Sequence, residues 1–146
     1  MKKGSFILLV ISIAWVSCIN NNPKDAAAAK IMADTAKYTS IQWTDSVVNF
    51  GSINMGEQIK IAFHFRNSGT QPLFLANVKA GCGCTVPDYT HGAIPPGGEG
   101  EVTGAFDSNK AHAGEVRKAI FVTTNTYNKK EHTLIFTGVI KEAPAK

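Results

Sequence analysis

The sequence is short of several things that would announce a function. Charged residues make up 18% of its 146 positions, and the basic ones are scattered without any run of like charge. No electrostatic footprint for nucleic acid is present, and the Lys129-Lys130 pair reads as a solvated turn. The formal net charge of +4 falls to +2 once Lys2 and Lys3 are set aside. No serine stands in a G-x-S-x-G elbow. No glycine-rich loop joins a strand to a helix, so phosphate-cradle motifs are missing. Asp45, Asp88, Asp107, Glu99 and Glu101 do not fall at calcium-loop spacing. A cysteine protease of the two-lobed kind needs a larger body. These absences point away from an enzyme.

Long apolar runs are missing too. Phe6 to Ser17 is apolar over about 12 residues, whereas a helix needs about 20 to cross a hydrocarbon core. Behind Lys2 and Lys3, this run reads as an export signal over residues 1–17. Trp15-Val16-Ser17-Cys18 resembles the bacterial lipoprotein box, with Trp15 where leucine is usual. That resemblance implies lipidation of Cys18, which becomes the new first residue. Ordinary cleavage leaving a free Cys18 is the rival. Ile19 follows, with no aspartate and no acidic run. Such a tail resembles lipoproteins of the outer membrane that face the periplasm, with surface display as the open alternative.

Cysteine is scarce, at three residues. With Cys18 lipidated, Cys82 and Cys84 are left as a pair in an oxidising space. One residue, Gly83, separates them. In a flat strand residues i and i+2 lie about 6.6 Å apart at Cα, which leaves their Cβ atoms too distant for a bridge. A tight turn at Gly83, helped by Gly81, would bring them closer. Three readings stay open: a structural bridge or small buried pair, a redox-labile bridge, and a soft-metal site. Copper(I) is the natural guest of thiolates, and His91 is the nearest histidine in sequence to complete such a site.

The rest of the chain alternates. Residues 18–37 read as a tether, flexible or partly helical, with alanines that favour helix. From Gln58 to Asn67, Ile59, Ile61, Phe63 and Phe65 alternate with Lys60, Ala62, His64 and Arg66, the pattern of a half-buried strand. Strands are expected over Leu73–Lys79, Glu101–Asp107, Val116–Thr124 and Thr133–Ile140, with one or two more over Ile41–Phe50. Gly97 to Gly100 reads as a hairpin turn. Pro87 biases Val86 toward an extended conformation and cannot donate to a ladder, so the cysteines should lie at a strand end where the chain bends. The sum is an all-β antiparallel sandwich of about seven strands over residues 38–142, with a tail at 143–146; a small β-barrel would show the same alternation. Its core is expected from Ile59, Ile61, Phe63, Phe65, Leu73, Leu75, Val102, Phe106, Ile120, Val122, Leu134 and Phe136. His64 falls on the polar face, and His112 and His132 in loop or strand-end contexts.

Several stretches together resemble a known family. They are Asn49-Phe50-Gly51, Arg66-Asn67-Ser68-Gly69, Gly81-Cys82-Gly83-Cys84-Thr85-Val86-Pro87, Pro95-Pro96-Gly97 and Thr123-Thr124-Asn125. From Val47 to Ile140 the chain resembles the bacterial domain-of-unknown-function family 1573. The resemblance implies an immunoglobulin-like fold and an envelope location, and no activity. The expectation is a lipid-anchored, non-catalytic module with no cofactor. Its partners would be other envelope proteins, and the membrane through the lipid. A thiol-redox or copper-handling protein built on Cys82 and Cys84 is the rival.

Overall fold

The computed structural model describes residues 30–127 and 129–142. The signal segment 1–17, Cys18, most of the tether and the tail 143–146 lie outside the described residues. Residues 30–33 are α-helical and Thr35–Lys37 is a short 3-10 turn, started by Asp34, whose carboxylate accepts from the Ala36 N–H. The Tyr38 hydroxyl donates to the Met32 carbonyl, which ties this lead-in to the buried Tyr38.

Eight strands follow: β1 (Ile41–Trp43), β2 (Val47–Asn54), β3 (Gln58–Asn67), β4 (Leu75–Ala80), β5 (Thr85–Tyr89), β6 (Glu99–Asp107), β7 (Gly114–Thr124) and β8 (Glu131–Lys141). They form two four-stranded sheets in the orders β1-β3-β6-β5 and β2-β8-β7-β4. The two-sheet sandwich expected from the alternation is what forms, with the immunoglobulin-like character that the resemblance implies.

One ladder departs from the antiparallel rule: β2 and β8 run parallel. The reason is a sheet switch. The Thr44 N–H donates to His64 in the first sheet, and Ser46 accepts from Ile135 in the second. Within three residues the chain changes sheets and continues its course, so it meets β8 in the parallel sense. The opposite side of the sandwich has a matching switch. Gly81 donates to Ala119 in the second sheet, and Cys84 accepts from Asp107 in the first.

The expected core residues are buried, with Ile59 packed half-buried at the margin. Tyr38, Ile53, Ile94, Val116 and Ile140 join them. Two buried asparagines hold the loops at one end. Asn67 accepts from the Thr39 hydroxyl (2.9 Å) and the Gly69 N–H (3.1 Å), and donates to the Gln71 (2.8 Å) and Ile94 (2.9 Å) carbonyls. Asn125 accepts from Phe74 N–H and donates to the Lys37 and Pro72 carbonyls. Each thereby satisfies backbone groups that loop residues would otherwise leave unpaired in the interior.

One local expectation is corrected, and one strand forms that the alternation did not mark. Glu99 and Gly100 belong to β6 and not to a turn; the turn is confined to Pro96-Gly97, where Gly97 takes φ +76°. Thr85–Tyr89 is a strand despite Pro87, because β5 is a sheet edge. Cys84 and Thr90 make the flanking bonds to β6, so even-numbered residues face β6 and Pro87 faces outward, where its missing N–H costs no ladder bond.

Candidate functional site

The crossing from β4 to β5 gathers the chemistry that the sequence singled out. Gly81 lies against β7, where a Cβ would stand 3.2 Å from the Ala119 carbonyl and 3.4 Å from the Phe121 ring. A side chain there would press on the Ala119 carbonyl by a few tenths of an ångström, a crowding that glycine avoids. The chain then turns through Gly83, which has open space around it, and Cys82 and Cys84 are joined in a disulfide. Their Cα atoms are 5.3 Å apart, closer than a flat strand permits.

The two sulfurs sit in different surroundings. Cys84 is 4% exposed and part of the core, whereas Cys82 is half-buried at the margin. Thr85, itself buried, holds its hydroxyl 3.6 Å from Cys82 Sγ and 3.8 Å from Cys84 Sγ. Among the described residues the two sulfurs are the only hydrogen-bond partners of that hydroxyl.

His91 is not part of this corner. It lies past the far end of β5, five residues of extended chain away at about 3.3 Å each. There it stacks on Tyr89 at 4.2 Å and meets Asp88 Oδ1 at 3.3 Å. The Asp88 carboxyl is held below its ordinary range, first by the Tyr89 N–H and then by His91. The proposed donor set of Cys82, Cys84 and His91 is therefore not assembled, and with both sulfurs in a bridge no thiolate is present to take copper. Among the described residues no three His, Cys, Asp or Glu side chains form a metal-binding group.

The other histidines are placed as follows. His64 is exposed on the outer face of the first sheet, 3.3 Å from Asp45. His112 is exposed before β7. His132 was not singled out by the sequence, yet it is half-buried beside Trp43, with Nε2 3.1 Å from the Thr124 hydroxyl and 3.3 Å from that of Thr126. Burial, and then the charge of Lys129, push its pKa below the ordinary 6.5.

Three of the five exposed large apolar side chains among the described residues lie on the outer face of the second sheet; the other two are Val86 on β5 and Tyr127 beyond β7. Val47 is 59% exposed, Phe121 51% and Val139 40%. The register sets Val47, Ile135 and Ala119 in one row across three strands, and Phe121 in the next row between Lys79 and Thr133. A depression of about 240 Å³ lies beside Phe121, lined also by Asn77, Lys79, Thr123 and Glu131. The strand periodicity carried this signal, since Ala119, Phe121, Ile135 and Val139 occupy the outward parity of β7 and β8.

The sheet edges are less inviting. β1 has three residues, β2 bulges between Asn49 and Ser52, and β4 shifts register between Leu75 and Asn77. On β5 Pro87 offers no donor, and the Tyr89 N–H is taken by Asp88 at 2.8 Å. Short length, bulges and edge proline are the devices that discourage strand addition.

Comparison with known proteins places the chain. Residues 41–140 match the family described as Protein of unknown function (DUF1573). The chain belongs to this family. The match starts at Ile41, ahead of the Val47 expected from motifs alone. No curated protein matches the chain. Among solved structures, a protein of unknown function from Porphyromonas gingivalis W83 is similar at a TM-score of 0.64 and 19% identity, over 73% of this chain and 49% of that one. The chain thus spans about half the length of that protein. The ASH / PapD-like domain of human CEP192 is similar at 0.50 and 14%, over 75% and 89%. The secreted serine protease VesC from Vibrio cholerae is similar at 0.52 and 12%, over 78% and 25%. At these identities the likeness shows the fold alone.

Proposed function

We propose that the protein is a lipid-anchored envelope protein whose sandwich works as a non-catalytic binding or assembly module. Cys18 would carry the lipid, and the domain would face the periplasm from the outer membrane. The outer face of the second sheet carries the reading: Val47, Phe121 and Val139 are large, apolar and exposed, on a face that the rest of the described chain leaves uncovered. Grouped exposed apolar side chains rimmed by charge mark contact surfaces. Lys79 and Glu131 border Phe121 on the same outward parity, and Arg117 and Glu115 separate that group from Val139. The blunted edges favour the face over strand addition as the mode of contact.

The experiment is site-directed photocrosslinking in cells, with the crosslinking residue at Phe121 and, as control, at Ala62 on the outer face of the first sheet. A discrete protein adduct from position 121 that is missing from position 62 supports the module. Equal or no adducts from both positions argue against this face.

A further inference from the structure

The bridge between β4 and β5 joins a half-buried residue at the core margin to a buried one. Cys82 Sγ belongs to a half-buried residue flanked by exposed Gly81 and Gly83, and Cys84 belongs to the core. A closed loop of three residues removes little unfolded-state entropy, so the bridge contributes little as a staple. The Thr85 hydroxyl is buried and directed at the sulfurs alone among the described residues. A disulfide sulfur is a weak acceptor, whereas a thiolate is a strong one. This hydroxyl therefore meets its better partner only when the bridge is open. Exposed Phe121 borders the crossing at Gly81, giving an incoming chain an apolar foothold beside Cys82.

We propose that Cys82–Cys84 is an exchanging disulfide that takes the thiol of a cysteine-bearing polypeptide, with Cys82 as the sulfur attacked and Cys84 as the leaving group. The incoming thiolate forms an S–S bond to Cys82 Sγ as the Cys82–Cys84 bond breaks. The electron pair passes to Cys84 Sγ, where the Thr85 hydroxyl donates to it. The proton of the incoming thiol is released to water. A second thiolate then attacks the partner's sulfur in the mixed disulfide, releasing Cys82 as a thiolate and leaving the partner's two cysteines joined. The partner is oxidised by two electrons and the bridge reduced by two, so one domain delivers one disulfide. A polypeptide partner would share Phe121 with the docking face, whereas the exchange itself is tested with a small thiol that needs no docking.

The probe is reduced glutathione, added in millimolar amount to the purified, oxidised full chain. Samples are acid-quenched and alkylated, and peptide mapping locates each group and separates any adduct on Cys18. The expected result is glutathione on Cys82 with the alkyl group on Cys84. In Cys84→Ser Cys82 is a free thiol, so this variant is loaded with oxidised glutathione, whose disulfide the Cys82 thiolate attacks with release of one glutathione thiolate. The Cys82 adduct should then persist, because no neighbouring thiolate resolves it. Thr85→Val should slow opening about tenfold, the loss of one hydrogen bond to a charged group. Thr85→Ser, which keeps the hydroxyl, should open like wild type and separates the bond from side-chain packing. An adduct on Cys84, a bridge that opens only in denaturant, or equal rates for Thr85→Val and wild type would overturn the proposal.

Discussion

The Thr39 hydroxyl donates to Asn67 Oδ1 at 2.9 Å, a buried bond that joins the lead-in of β1 to the end of β3. Asn67 is fully buried, and its amide also reaches the carbonyls of Gln71 and Ile94. Truncating it leaves several buried groups unpaired at once. Asn67→Ala should destabilise by about 3 kcal/mol, and Thr39→Val, which removes one neutral bond, by about 1 kcal/mol. Chemical denaturation of both variants measures the difference, and similar losses would refute the clamp.

Phe63 is fully buried on β3, while Arg66 points outward and donates from Nε to the Gly97 carbonyl at 3.1 Å in an exposed bond. Phe63→Ala should cost about 3–5 kcal/mol through the cavity it opens. Arg66→Ala should stay within about 0.5 kcal/mol of wild type. The same denaturation series decides it.

His132 is held neutral by burial, with its folded pKa below the ordinary 6.5. The unfolded chain therefore takes up this proton first as pH falls, so unfolding gains a proton and stability drops. Its contribution is complete above the ordinary value and declines as pH falls through it toward the folded pKa. Melting temperature should decrease below about pH 6.5 in wild type, and His132→Gln should flatten that part of the profile. An unchanged slope in the variant would remove His132 as the cause.

Cys18→Ala tests the anchor. The variant should leave the membrane pellet for the soluble envelope fraction on cell fractionation, since the described sandwich has no helix long and apolar enough to span a bilayer. Retention in the pellet would mean that something other than a lipid on Cys18 holds the protein.

Sequence by itself determined the sandwich. Strict alternation over Gln58–Asn67 marked the core face of β3, because successive side chains in a strand point to opposite sides. The same periodicity located β6, β7 and β8. It did not find β5, since Pro87 reads as a strand breaker until one knows that its missing donor faces the free side of an edge. Nor did it give the parallel β2–β8 ladder, which follows from a sheet switch at residues 44–46. Asn67 reads as the end of a strand and Asn125 only as part of the stretch Thr123-Thr124-Asn125, and only their distant backbone partners explain their burial. For the cysteines, spacing left three readings open. The bend between two sheets brought the pair within bonding distance, and packing buried Cys84 while leaving Cys82 at the margin. Periodicity is a local property of the chain. Which strand is an edge, which carbonyl needs a donor and which cysteine is buried depend on contacts between residues far apart in sequence, and those only the tertiary structure decided.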